Sequence, residues 1–176
     1  MIEDSNFLTS LQKSYIDEVI LGANFPYYIN DSAVKNDKNS YLGHTIIVRP
    51  EDRKEGDPLY NSPHFEQAIN ILKNFVVKNN IDCKEILRCS VNLTYKTNTD
   101  ACPVHRDHDF AHKQLLIYLN NCKDKGAKTV IMDDSEKTIL KEIEPKKFKG
   151  VYFESCPHYM IYPSQDIRVV LVYTFR

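Results

Sequence analysis

The residues of this chain best suited to chemistry are His105-Arg106-Asp107, His158 and Arg168, each inside or at the edge of a strand-like apolar run. Side chains alternate faces along a strand. His105 and Asp107, two apart, therefore project from one side and can offer an imidazole nitrogen and a carboxylate oxygen to a single point. A second imidazole from His158 completes a face of two histidines and one carboxylate. Such a face holds a divalent metal on one side and leaves the opposite coordination positions open, an arrangement that suits ferrous iron in oxygen chemistry. Arg168 follows His158 by ten residues, in a run that otherwise reads as a buried strand. A permanent cation in that place needs an anionic partner.

Each residue also has a plainer reading. An H-x-D triplet is short enough to arise by chance in a surface loop. His158 alone fits a satisfied core histidine, and Arg168 alone fits an edge-strand charge with a solvated head. All four types in this order on successive strands are harder to explain separately. The spacing of His105, His108 and His112 leaves a zinc cluster as an alternative, although no further Cys or His set at matching spacing accompanies it. His44 and His64 read as surface or capping residues.

The elements that must position these groups fall into two halves. In the first, about 1–84, Thr9 and Gln12 form a T-x-x-Q capping box, and Leu11, Tyr15 and Val19 follow at helical spacing before Gly22. Residues 29–40 are rich in Asn, Asp, Ser and Lys and read as a loop, 44–49 as a strand, and 51–58 as a charged turn. A second helix is capped by Ser62 with Pro63 in its first position. Its apolar stripe is Phe65, Ala68, Ile69, Leu72 and Val76, and it ends near Asn79-Asn80. From residue 85 the period changes to two, with strands expected over 85–95, 114–120, 129–132, 137–143, 150–153, 158–162 and 167–175, separated by turn signals. Many short strands at this spacing imply a β-sandwich or barrel with helices covering one sheet. On the strand 85–95, Arg88, Ser90, Asn92 and Thr94 share a face, either the substrate entrance or a solvated outer surface.

At 176 residues the chain has room for one core and is short for two, so a single domain over 1–176 is expected. Basic and acidic residues nearly balance, 23 against 24, which gives no reason to expect nucleic acid as a partner. No apolar run approaches the ~18 residues of a membrane span. The start Met1-Ile2-Glu3-Asp4 lacks the features of a secretion signal. Cys83, Cys89, Cys102, Cys122 and Cys156 are odd in number and never in C-x-x-C spacing, which favours reduced thiols in the cytoplasm over disulfides or structural zinc.

The order H-x-D, distal His, then a basic residue ten positions on resembles the Fe(II)- and 2-oxoglutarate-dependent dioxygenases, particularly the prolyl-4-hydroxylase-like branch. Tyr95, ten residues before His105, stands where that branch often has a tyrosine lining the cosubstrate pocket. Leu116-Ile117-Tyr118-Leu119-Asn120 is similar to the family's I-Y-Y-L-N strand, and Arg168 to Phe175 has the look of its closing strand. Phe25-Pro26-Tyr27-Tyr28, Gly43-His44-Thr45 and Arg88 through Leu93 extend the likeness to short phage and marine bacterial members, whose location would be the cytoplasm, of the host if viral. A family signal of Gly-Gly or Gly-x-Thr is only partial in Gly126-Ala127-Lys128-Thr129.

The resemblance implies a mainly β protein with flanking helices around a double-stranded β-helix (jelly-roll, cupin-like) core over about 85–176. It implies Fe(II) held by His105, Asp107 and His158, with 2-oxoglutarate held by Arg168 and aided by Tyr118 and Tyr95. With O2, the expected reaction is hydroxylation of a C–H bond in a peptidyl, amino-acid or other small substrate, releasing succinate and CO2. Two rivals stand beside it. One is a non-catalytic metal-binding β-sandwich, and the other is a cupin-type metalloenzyme that does not use 2-oxoglutarate.

Overall fold

The computed structural model describes residues 1–34, 36–57 and 59–176; Lys35 and Pro58, which fall in the two segments expected as loops, lie outside the described residues. Among the described residues, ten strands and two α-helices run in the order β1 (Ile2–Asp4), α1 (Ser10–Tyr15), β2 (Tyr28–Asn30), β3 (Tyr41–Ile47), α2 (Phe65–Lys78), β4 (Ile86–Thr94), β5 (Lys113–Tyr118), β6 (Thr129–Met132), β7 (Ile139–Ile143), β8 (Gly150–Glu154), β9 (His158–Met160) and β10 (Arg168–Phe175). A seven-stranded sheet has the order β1-β8-β5-β10-β4-β3-β2, and a three-stranded sheet the order β7-β6-β9, all pairs antiparallel. This is the expected jelly-roll core: a large and a small sheet facing each other, with helices outside.

The strand period decides what each sheet face meets. On β10, Val169, Leu171, Tyr173 and Phe175 point outward into a cluster with Ile16, Ile71, Leu72 and Phe75 from the helical layer. Val170 and Val172, on the other face, join Leu116, Tyr118, Ile131, Val151 and Phe153 between the sheets. With both faces covered, the central strands read as nearly unbroken apolar runs, and a polar residue in the inward register has to be accommodated inside.

The helices differ in detail from the sequence reading. The Thr9–Gln12 capping box forms. The helix then widens into a π-helical turn over Ile16–Ile20, which rotates the later residues so that Ile16 and Ile20 enter the core while Leu11 lies outside it. In α2 the deeply buried residues include Ile71 and Phe75, which the expected stripe did not contain, whereas Ile69 is only half-buried. The helix begins at Phe65, two residues later than expected. Ser62 instead closes the preceding turn, accepting from the His64 backbone N–H at 3.1 Å. His44 is neither a surface nor a capping residue: it is buried, with Nδ1 donating to the Pro26 carbonyl at 2.8 Å and Nε2 2.7 Å from Ser62 Oγ. The short strands β1 and β2 were not foreseen, because three-residue edge strands carry too little pattern to detect. All five cysteines are free thiols. No helix among the described residues is long and apolar enough to cross a membrane.

Candidate functional site

Between the two sheets lies a cavity of about 70 Å³, several times the space one water needs. Its large-sheet wall is built from inward-facing positions of three neighbouring strands: Arg88, Asn92 and Thr94 on β4, Gln114 and Leu116 on β5, and Arg168, Val170 and Val172 on β10. The small-sheet wall carries Thr129, His158 and Met160, and the segment before β5 adds Cys102, His105 and Asp107. The shared face of Arg88, Asn92 and Thr94 therefore lines the interior and is not a solvated surface. Each lies one residue out of phase with Cys89, Val91 and Leu93, which pack outward.

His105 and His158 form an antiparallel bridge, each backbone N–H donating to the other's carbonyl at 3.0 and 2.9 Å, with ring centroids 4.4 Å apart. Both rings have a fixed tautomer. His105 Nδ1 lies 3.0 Å from the Pro103 carbonyl and His158 Nδ1 3.0 Å from the Cys156 carbonyl, two residues upstream in each case. A carbonyl only accepts, so both Nδ1 atoms carry the proton and both Nε2 atoms keep a lone pair. Burial pushes both imidazoles below their ordinary range, and the neighbouring His105 ring helps bring His158 down to about 4.

Asp107 is the acidic counterpart. Burial alone would raise its pKa. The Arg88 guanidinium, with His158 and Arg49, outweighs burial and holds the carboxyl well below the usual range. Its Oδ1 accepts from Arg49 Nη2 at 2.9 Å and Arg88 Nη1 at 3.1 Å. Its Oδ2 faces His158 Nε2 at 3.9 Å. With His158 neutral, that approach is a carboxylate oxygen and an unprotonated lone pair aimed at the same space. Two adjacent ligands about 2.1 Å from an octahedral metal stand about 3 Å apart, so this gap must shrink by about 1 Å to close on an ion. Among the described residues, no three His, Cys, Asp or Glu groups already stand at closed metal-cage spacing.

Further along the cavity Arg168 is buried, 3 % exposed, without a carboxylate partner among the described residues. Its Nη2 donates to Thr129 Oγ1 at 2.7 Å, its Nη1 lies 3.5 Å from Met160 Sδ, and its Nε is buried with no partner. The guanidinium carbon sits 5.3 Å over the Tyr118 ring. Such an arrangement leaves the cation's main electrostatic demand unmet.

Two residues expected near a cosubstrate do not line the cavity. The Tyr118 hydroxyl donates to Thr129 Oγ1 at 2.8 Å, and Tyr118 supports the cavity wall from behind without lining it. Tyr95 lies just past the end of β4, its hydroxyl 3.1 Å from Ser40 Oγ, and Thr94 lines the cavity in its stead. Thr129 Oγ1 receives both Tyr118 and Arg168, so its own proton is free for a ligand. Sequence reasoning missed Thr129 as a contact, although it lay in the Gly126–Thr129 signal. It also missed Gln114, a polar residue breaking an apolar strand in the inward register. Arg49 carried no local signal at all. His108 and His112 do not join the first three groups: His108 lies between Glu51 Oε1 at 2.6 Å and Thr174 Oγ1 at 2.7 Å, and His112 Nδ1 donates to the Phe110 carbonyl at 2.9 Å.

No protein-family model matches the chain. No curated protein matches it either. Solved structures do. The chain is similar to an oxidoreductase of the 2OG-Fe(II) oxygenase family from Burkholderia pseudomallei, with TM-score 0.74, 19% identity, and coverage of 96% of this chain and 80% of that one. It is similar to a prolyl-4-hydroxylase from Pseudomonas putida, with TM-score 0.62, 15% identity, and coverage of 99% and 91%. A third neighbour is a Trichoplax adhaerens prolyl hydroxylase in complex with a hypoxia inducible factor peptide fragment, with TM-score 0.64, 18% identity, and coverage of 99% and 82%. At these identities the likeness establishes a shared fold.

Proposed function

We propose that the chain is an Fe(II)- and 2-oxoglutarate-dependent dioxygenase that hydroxylates a C–H bond. The observation that carries this reading is the content of one cavity. His105, Asp107 and His158 line it together, with both Nδ1 atoms committed to backbone carbonyls, and a buried guanidinium without a carboxylate partner among the described residues stands farther along. Neutral imidazoles and a carboxylate suit ferrous iron, and the open remainder of the cavity suits a ligand that completes the coordination. The fold of the three oxygenase neighbours supports the same reading.

When bound, ferrous iron with 2-oxoglutarate supplies the chemistry R–H + 2-oxoglutarate + O2 → R–OH + succinate + CO2. The protein's own tasks are physical. His105, His158 and Asp107 would hold the metal. The Pro103 and Cys156 carbonyls keep the two rings in the ligating tautomer. Arg49 and Arg88 fix Asp107 through Oδ1, which leaves Oδ2 for the metal. Arg168, through its planar fork, would pair with the distal carboxylate of 2-oxoglutarate, with the Thr129 proton as a second donor. Leu116, Val170 and Val172 give that region an apolar wall that limits water. The peptide held by the Trichoplax neighbour supports a peptidyl or related amino-acid substrate.

Anaerobic titration of the purified chain with Fe(II) and 2-oxoglutarate tests the reading. A weak visible charge-transfer band is expected, lost in His105→Ala and Asp107→Ala. Arg168→Ala should weaken 2-oxoglutarate binding by about 10- to 100-fold while leaving Fe(II) binding in place. No band in the wild-type chain, or unchanged 2-oxoglutarate affinity in Arg168→Ala, would refute it.

A further inference from the structure

The cavity contains a second buried arginine that the cosubstrate does not account for. Arg88 is 8 % exposed, lines the cavity, and among the described residues makes one side-chain hydrogen bond, to Asp107 Oδ1. That oxygen is shared with Arg49, so two guanidiniums divide one carboxylate. The other N–H groups of Arg88 are left to the cavity. The imbalance deepens once Asp107 ligates a divalent cation, because its negative charge is then shared with the metal as well. Strand register places this charge away from Arg168: Arg168 pairs with Thr94 and Arg88 with Thr174, at opposite ends of the β4–β10 ladder. A keto diacid held by one end at Arg168 and by the other at His105, Asp107 and His158 has no anionic group left for Arg88.

A second orphan stands beside it. Gln114 pairs with Thr174 from the other flank of β10, so Arg88 and Gln114 stand on one sheet face with backbones about 10 Å apart. Gln114 Nε2 lies 3.3 Å from His158 Nε2, and its Oε1, like the Nε2 of the neighbouring His112, is buried without a hydrogen-bond partner. A permanent cation with donors to spare and a polar amide across one strand from it, next to the metal-ligand candidates, suit a ligand that carries a carboxylate.

We propose that the hydroxylated substrate is a small molecule with a free carboxylate, a free α-amino acid being its simplest form. Arg88 binds the carboxylate, and the Gln114 amide stands across β10 from it. The proposal rests on the dioxygenase reading above and narrows its substrate from peptidyl groups to free acids.

The test uses the full chain loaded with Mn(II), which does not turn over, and saturating 2-oxoglutarate, whose own binding is measured first. Calorimetry then compares the common L-amino acids and short aliphatic carboxylic acids with their primary amides. At least one free acid should bind, with its amide about 10- to 100-fold weaker, the range for losing a charge-assisted pair. Arg88→Gln, with its Mn(II) and 2-oxoglutarate binding measured first and both ligands held at saturation, should abolish that difference. Arg168→Gln should lower 2-oxoglutarate affinity and keep the preference for the acid. Arg88→Lys, which keeps the charge but not the fork, should retain part of the preference, and a thermal melt of each variant shows that it is folded. Equal binding of acids and amides, a panel with no binder, or a preference for the acid that survives in the loaded Arg88→Gln chain would each overturn the proposal. Failure of 2-oxoglutarate to bind the wild-type chain at all would instead strike the dioxygenase reading.

Discussion

Thr129 shows how one hydroxyl ties the site to its support. It accepts from Tyr118 and Arg168 together, so removing it takes the nearer acceptor from two buried donors. Thr129→Val nearly preserves shape and should cost about 1–3 kcal/mol of stability, with 2-oxoglutarate affinity falling by about tenfold, read by urea unfolding and anaerobic titration. Tyr118→Phe removes one of the two donors and leaves the Arg168 bond in place. It should weaken 2-oxoglutarate binding less than Thr129→Val does. A larger loss would mean that the phenol reaches the ligand directly.

At the scale of elements, the start of α2 is joined to α1 and β3 through a small imidazole cluster. His64 Nδ1 lies 2.7 Å from the Tyr15 hydroxyl, and the His64 ring stands 5.7 Å from that of His44. Burial, and then the neighbouring His44 ring, lower the His64 pKa from its ordinary value. A histidine with a depressed folded pKa binds fewer protons folded than unfolded. Its contribution is therefore present above the unfolded value near 6.5 and is lost as pH falls below it. Stability should decline as pH falls through the unfolded value near 6.5, and His64→Gln should reduce that slope. An unchanged slope would assign the decline to the deeper imidazoles at His105, His112 and His158, whose pKa values burial also lowers.

At the scale of the molecule, the large sheet separates two interiors. One is the cavity, and the other is the apolar layer under the helices. Gly150 marks where the second is tightest: a Cβ there would lie 2.7 Å from one carbon of the Phe75 ring and 2.9 Å from one of Phe7. These two rings pack edge to face, with centroids 4.9 Å apart, and have little room to retreat. Gly150→Ala should cost about 1–3 kcal/mol, or about 2–12 °C in Tm for a chain of this size. Because the strain falls on the helical side, the folded variant should keep its 2-oxoglutarate affinity. A selective loss of binding without a fall in Tm would show that the two interiors are coupled.

The jelly-roll core was legible in the chain because its signals are local. The change to a period of two after residue 85, the turn residues between strands and the capping box at Thr9 each need only neighbours along the backbone. His105, Asp107, His158 and Arg168 stood out for a related reason: charge and imidazole inside apolar runs are costly, so they mark places where something must compensate. What lay beyond the sequence depends on which surfaces meet. The π-helical turn that buries Ile16 and Ile20, the bonds of Tyr118 to Thr129 and of Tyr95 to Ser40, and the burial of His44 all follow from contacts between distant segments. The same holds for the sharing of Asp107 by Arg49 and Arg88, residues 58 and 19 positions away. Periodicity along one strand tells which side a residue faces, whereas only the packed sheets decide which partner waits there.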